Sequence, residues 1–428
     1  MQFRQGLAYA VQEPLVIREN KSSIARITLN RPSAYNSLDK DTVNAFQDAI
    51  KKAEEDPKTK AIFLRGKGKA FCAGGDVKYL LKLVNNDATN MTFRSQVNDY
   101  YYQVYRSSCL QTPLISVLDG FTMGFGVGIS IYGPFRIVTE NTKYSMPETK
   151  IGTLCESFST HYLSRLDCNL AKYITMTGNV LKGEDALFAG IGTHFVPSSR
   201  IDELEDHLSK EANLDLDKIN NIIQKYSVDE NHKPVNHVLN AENNAIIQKC
   251  FKFDNANDII NALEKDGTPF SSDAIMAISK GSPTCTVINA ENFNRASKMS
   301  FSEVLEMELT LWFRSAALHD FSEGINSALI LKKRPQWNPP TIKDVSIDRL
   351  RQEVYRDGEV KDPTVYFPYD PLFTPTKFLK YTLPSREAVL KARREHNLTT
   401  LDKTVQFFQA KTNNKFGIRQ KIESMGFN

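Results

Sequence analysis

Apolar and polar residues alternate from Leu15 to Leu29, through VIREN and IARITL, and predict two strands about the polar turn Glu19–Ser23. Val43, Phe46, Ile50 and Ala53 then recur at helical spacing, with Ser37 placed to cap that helix. The run Ala61–Arg65 (AIFLR) is short and apolar, as a buried strand would be, and a helix is expected from about Asp76 to Leu83. Leu114–Leu118 and Phe135–Thr139 have the texture of further strands. Strand and helix signals alternate up to about Val196, the pattern of an α/β domain. Beyond residue 200 the texture becomes amphipathic and helical, in Ile201–Leu208, Ala241–Phe251, Ala256–Leu263 and Phe301–Leu318. Residues 334–341 (RPQWNPPT) read as a boundary. After them Pro363, Pro368, Pro371, Pro375 and Pro384 interleave with six Tyr and Phe, which blocks helix and favours extended chain. Helix returns at about Ser385–His396 and Leu401–Ala410.

The length, 428 residues, gives a prior of two to three domains, and 41% hydrophobic with 24% charged residues excludes disordered and fibrous chains. No run of 18 apolar residues exists, so no helical bilayer span is expected. The net charge of +4 does not mark a nucleic-acid binder, but its distribution is uneven. Residues 351–428 hold 14 Lys/Arg against 9 Asp/Glu, while the first 350 hold 40 against 41. That asymmetry fits a basic tail with an acidic partner, and equally a solvated helical surface. Six cysteines without CxxC or zinc-finger spacing fit free thiols in a reducing compartment and no structural metal. The opening MQFRQGLAYA carries one Arg and no acid, as the remnant of a mitochondrial presequence would.

Arg65–Lys69 lacks phosphate-loop spacing, no GxSxG occurs, and no dinucleotide fingerprint is present. Two glycine-rich segments, Ala70–Asp76 (AFCAGGD) and Gly120–Gly128 (GFTMGFGVG), each follow a strand and open a helix. Small residues there admit a ligand to the backbone, and two opposed helix-start N–H groups would form an oxyanion hole. A third segment, Met146–Gly152 (MPETKIG), offers Glu148 as a general acid or base. Taken singly, these are two tight turns and a surface Glu.

Together and in this order the three segments resemble the crotonase (enoyl-CoA hydratase/isomerase) superfamily, and within it the 3-hydroxyisobutyryl-CoA hydrolase branch. Supporting stretches are Leu29–Pro32 with Asn36, Asp119–Gly152, Thr177–Val196, Ser282–Thr284 and His319–Trp337 (HDFSEGINSALILKKRPQW). The resemblance implies a spiral of ββα turns over 13–200, a helical region over 201–350, and an extra extension over 351–428. It also implies that a CoA thioester is the substrate, with no separate cofactor. The backbone N–H groups of Ala73 and Phe125 would form the oxyanion hole, Ala73, Gly74, Gly75 and Asp76 would line the CoA, and Glu148 would be the catalytic acid/base. A hydratase catalytic Glu is replaced by Gly128, as in the hydrolase branch.

Three positions depart from the family pattern. Phe125 replaces the middle of three glycines, and Tyr100 stands at an acidic position, with Asp99 its neighbour. The family's Pro-Asp-Val-Gly-Gly-Gly run has become Cys155–Thr160, so that Glu156 replaces an Asp and Phe158, Ser159 and Thr160 replace the glycines. The resemblance therefore carries two readings. One is an active mitochondrial-matrix hydrolase in valine breakdown, using Glu148 and Glu156. The other is a non-catalytic subunit of the small mitochondrial ribosomal subunit, where homologues of this branch occur. In the second, Arg386, Lys391, Arg393, Arg394, Lys411, Lys415, Arg419 and Lys421 of the extension would contact rRNA or neighbouring proteins. Crotonase-fold proteins often assemble as trimers, an interface this extension is placed to cover.

Overall fold

The computed structural model describes residues 13–84, 91–167, 169–229, 232–234, 237–356, 365 and 367–427; the presequence reading and Cys168 lie outside them. The first half runs β1 (Val16–Lys21), β2 (Ile24–Leu29), α1 (Lys40–Glu55), β3 (Ala61–Gly66), β4 (Ala70–Cys72), α2 (Val77–Val84), α3 (Met91–Ser108), β5 (Leu114–Leu118), β6 (Phe121–Met123) and α4 (Phe125–Ile131). It continues through β7 (Phe135–Val138), β8 (Lys143–Ser145), α5 (Ser159–Leu163), α6 (Leu170–Thr177), β9 (Leu181–Lys182), α7 (Glu184–Phe188) and β10 (His194–Phe195). Helices then dominate: α8 (Ile201–Lys210), α9 (Leu216–Tyr226), α10 (Ala241–Cys250), α11 (Ala256–Asp266), α12 (Pro269–Ile278), α13 (Pro283–Ala296), α14 (Phe301–Ser315), α15 (His319–Gly324) and α16 (Ile347–Leu350). The extension adds α17 (Arg386–Glu395), α18 (Leu401–Thr412) and α19 (Ile418–Glu423). None of the described helices is long and apolar enough to cross a membrane.

Six strands form one sheet in the order β1-β2-β3-β5-β7-β10, parallel except for the β1–β2 hairpin. A smaller sheet, β4-β6-β8-β9, stacks the continuation of each turn of the spiral. The continuous apolar runs exist because the large sheet is covered on both faces. Along β3, Ile62 and Leu64 enter the main core, whereas Ala61 and Phe63 face a second core closed by α8 and α9. The main core is continuous from Ala25 to Met425, through all three spans expected from sequence.

Two local readings change. The α1 cap is Asp39, whose carboxylate accepts the Thr42 N–H at 2.9 Å, and not Ser37, which accepts from Arg31 instead. The long helix α3 goes unannounced in the pattern, because the β-prone run Tyr100–Tyr102 masks its helical period.

The extension is wound onto the core. Phe367 and Phe373 pack on Tyr105 of α3, whose hydroxyl accepts the Asp370 N–H at 2.8 Å. Phe378 inserts among Tyr132, Tyr162 and His161, and its carbonyl accepts from the buried Arg136 guanidinium at 2.9 Å. Tyr381 stacks on Phe135 of β7 at 4.8 Å.

Candidate active site

The loop after β4 is fixed by the segment before α1. Ala73 N–H donates to Tyr35 carbonyl at 3.0 Å, Leu38 N–H to Gly74 carbonyl and Asp76 N–H to Leu38 carbonyl. This corrects the expected role of Ala73: its N–H already has a partner and cannot polarise a thioester. Among the described residues the N–H groups of Gly74 and Gly75 make no hydrogen bond, so this loop has two free donors. Asp76 is occupied as well, pairing with Arg31 at 3.1 Å and accepting the Tyr79 N–H at the start of α2.

The second loop delivers Gly124 and Phe125. Gly124 has φ +49°, and a Cβ on it would stand 3.3 Å from Glu148 Oε1. Phe125 is the first residue of α4, so its N–H is one of the helix-start donors without an intrahelical acceptor. A Cβ on Gly74 would lie 3.4 Å from that nitrogen, which places the two loops in contact. The free N–H groups of the two loops in contact thus include those of Gly74, Gly75 and Phe125.

Glu148 follows Pro147 on a single tight turn, Glu148–Ile151. Its side chain is buried, its Oε2 has no protein partner, and burial pushes it up to about 8, the charge of Glu156 adding to the shift. A neutral carboxyl of this kind donates a proton or a hydrogen bond at neutral pH rather than accepting one. Glu156 accepts from Ser157 Oγ at 2.6 Å and is also pushed up by burial.

Tyr100 and Phe125 occupy the ground beside these groups. Their rings stack at 4.8 Å and 28°, and both are buried. Tyr100 donates from its hydroxyl to Leu38 carbonyl at 2.8 Å, and its ring edge lies 3.3 Å from where a Gly75 Cβ would stand. Asp99 is half-buried and burial raises it, with the nearby Lys40 opposing.

A third carboxylate was not anticipated. Glu308 of α14 accepts from Phe158 N–H at 2.7 Å, Thr160 N–H at 3.1 Å and Tyr101 hydroxyl at 3.0 Å. Burial pushes it up to about 8. The signal was present: Glu308 sits at helical spacing from the apolar residues Val304, Leu305 and Trp312, an acid on a buried stripe.

A family model described as enoyl-CoA hydratase/isomerase matches residues 24–353. The chain belongs to that family. Among its relatives, the mitochondrial 3-hydroxyisobutyryl-CoA hydrolase of Rattus norvegicus is 35% identical over 339 residues, 78% of this chain and 87% of the rat protein. The 3-hydroxyisobutyryl-CoA hydrolase 1 of Arabidopsis thaliana is 31% identical over 81% of this chain and 94% of its own. A carnitinyl-CoA dehydratase from Mycobacterium thermoresistibile superposes with a TM-score of 0.74 at 29% identity, covering 83% of this chain and 99% of that one.

The basic side chains of the extension lie beyond the span matched by this enoyl-CoA hydratase/isomerase family, and most are engaged within the chain. Lys415 is buried, donating to Tyr381 carbonyl at 2.6 Å beside His194, and burial lowers it to about 7. Lys421 is buried against Phe188 carbonyl and Asp167. These two cannot touch a partner in this fold, which corrects their expected contact role. Arg386 and Arg393 lie over the Phe427 ring, Arg419 pairs with Asp402, and Lys411 covers Phe407. Arg394 and Lys391 point to solvent, Lys391 3.9 Å from Glu395.

Proposed function

We propose that this chain is a non-catalytic member of the 3-hydroxyisobutyryl-CoA hydrolase branch, retained in the mitochondrial matrix as a structural subunit of the small mitochondrial ribosomal subunit. The observation that carries the loss of catalysis is the buried Tyr100–Phe125 stack against Gly75. An acyl thioester reaching the Gly75 and Phe125 N–H groups would have to displace two packed rings, each with an aromatic share of the core to lose. Glu156 adds a methylene where the branch carries Asp, and a misplacement of about 1 Å can cost on the order of 100-fold in rate. The assembly role is supported by the resemblance and by an extension that completes the core instead of guarding a substrate.

The test has two arms. The purified protein is expected to show no hydrolysis of 3-hydroxyisobutyryl-CoA or short acyl-CoA thioesters. In a gently lysed mitochondrial fraction it is expected to sediment with the small ribosomal subunit and to stay there in moderate salt. Migration as a free oligomer would overturn the assembly role. Turnover that Glu148→Gln abolishes would establish the other reading, an active acyl-CoA hydrolase. One observation favours that alternative: Glu148, raised to about 8, keeps the proton a general acid needs, opposite free N–H donors.

A further inference from the structure

The cations of this chain divide into those the fold uses and those it leaves facing solvent, and a contiguous run of the second group lies outside the extension. The π-helical turn Ile325–Leu331 ends in Lys332, Lys333 and Arg334, all exposed. It packs against the turn that carries Glu148: a Cβ on Gly324, just before it, would strike Ile151 carbonyl at 2.3 Å. It also packs against α2, whose Lys78 and Lys82 are exposed. On the other side Trp337 donates its indole N–H to Lys280 carbonyl at 3.4 Å, and the charge of Lys280 is felt by Lys150.

Cations from four elements therefore lie on segments packed about the turn that carries Glu148 or about the π-helical turn against it. Among the described residues, none of Lys78, Lys280, Lys332, Lys333 or Arg334 has a carboxylate at ion-pair distance. Of the acids nearby, Asp76 pairs with Arg31, and Glu323, held ionised by the Gln336 N–H and the Ser327 hydroxyl, offsets part of the charge of Lys333. Like charges gathered in excess of their counter-charges repel one another, and a polyanion relieves that repulsion. Trp337, half-exposed between the cations, offers a face on which an unpaired base can stack.

We propose that this cationic rim, and not the C-terminal extension, is the surface by which the chain holds the sugar-phosphate backbone of RNA. The proposal rests on the ribosomal reading above and names the surface that reading requires. Ile330 and Leu331 are 50% and 59% exposed beside the same cations, so an anionic lipid surface is the competing occupant. The separate origins of the cations and the interposed Trp337 favour a nucleic acid, because a lipid surface is met by one continuous amphipathic face.

The test is fluorescence anisotropy with a labelled RNA stem-loop carrying single-stranded flanks, run from low to physiological salt on the full chain. The variant Lys332→Gln/Lys333→Gln/Arg334→Gln is expected to weaken binding by about tenfold or more and to lower the salt slope by about 2. The control Lys391→Gln/Arg394→Gln/Lys411→Gln is expected to bind as the parent does. All six positions are exposed, and unchanged melting curves would show that both variants fold. The inference is overturned if the control loses as much as the rim variant, or if free coenzyme A displaces the RNA. It is also overturned if vesicles of phosphatidylcholine and phosphatidylglycerol bind the protein more tightly than the RNA does. Sedimentation separates the two claims. A rim variant that still sediments with the small subunit removes this surface and leaves the assembly role intact. A parent protein that does not sediment removes the assembly role whatever its affinity for the stem-loop.

Discussion

Two loops border Glu148, and they keep their shape by opposite means. In the first, which runs from the turn ahead of α4 into the opening of that helix, glycine is retained where the backbone leaves no room. A Cβ on Gly126 would meet Cys72 carbonyl at 2.6 Å, and one on Gly128 would meet Ser157 carbonyl at 2.9 Å. In the loop ahead of α5, Ser157 and Phe158 hold left-handed φ values of +63° and +58° although neither is glycine. Left-handed backbone costs about 1–2 kcal/mol per non-glycine residue. The second loop offsets that cost with side chains: Glu308 accepts two of its N–H groups, Tyr132 donates to Phe158 carbonyl at 2.8 Å, and the Phe158 ring stacks on Phe301 at 4.2 Å. The difference teaches that a loop can lose its glycines and keep its path, provided that the neighbouring helix supplies the restraint.

The largest blow to that comparison is Glu308→Ala. It orphans two buried N–H groups and a tyrosine hydroxyl, at about 1–3 kcal/mol for each buried donor left unpaired. A loss of about 3–5 kcal/mol in chemical denaturation is therefore expected, and a neutral result would mean that aromatic packing alone holds the loop.

Protonation is the next lever. Glu148 and Glu308 are raised to about 8 in the fold and return toward 4.5 on unfolding, so between those values the folded chain binds more protons. The stability these two carboxyls contribute is then greatest near pH 5 and falls as the pH rises to 8, while buried His161 and His194 act in the opposite sense at the acid end. The Glu148→Gln variant should therefore gain stability relative to the parent as the pH rises from 5 to 8, read as the difference between their denaturation midpoints. Midpoints of parent and variant that move in parallel with pH would refute the buried neutral state of Glu148.

Gly126→Ala tests the other loop. With its Cβ 2.6 Å from a backbone oxygen, something must shift, at about 1–3 kcal/mol. Thermal melts that match the parent would show this loop to be no stiffer than its neighbour.

The smallest effect sharpens the contrast. Ser157→Gly removes left-handed strain but frees the unfolded chain and loses the bond to Glu156, so the net change should stay within about 0.5 kcal/mol. A clear gain in denaturant midpoint would mean that the strain is not offset by the packing around it.

The strand and helix order of the spiral was legible because its apolar runs and helical stripes are long and uninterrupted, as in Ala61–Arg65 and Val43–Ala53. The cap at Asp39 was not, since Ser37 and Asp39 compete as helix starts and only the path of the chain decides between them. Glu148 and the two glycine-rich loops stand out through the resemblance of the three segments, taken in order, to the crotonase family. The identity of the free donors does not, because it depends on Tyr35 carbonyl claiming the N–H of Ala73, a contact between residues far apart in sequence. Charge counting misjudged the extension for a similar reason. A Lys on a short helix looks solvent-facing until the carbonyls of Tyr381 and Phe188 are seen to lie beneath it.

Arg136 carries a further consequence, for the order of events during synthesis. Its guanidinium is buried with backbone carbonyls and a tyrosine hydroxyl around it, and one of those carbonyls belongs to Phe378, 242 positions later. At about 5–20 residues per second, a nascent chain waits about 10–50 s between exposing that arginine and making the carbonyl that satisfies it. The first half therefore leaves the exit tunnel with a charge it cannot yet enclose. Completion of the core is deferred until the last stretch of the chain arrives, so the fold closes only from its C-terminal end.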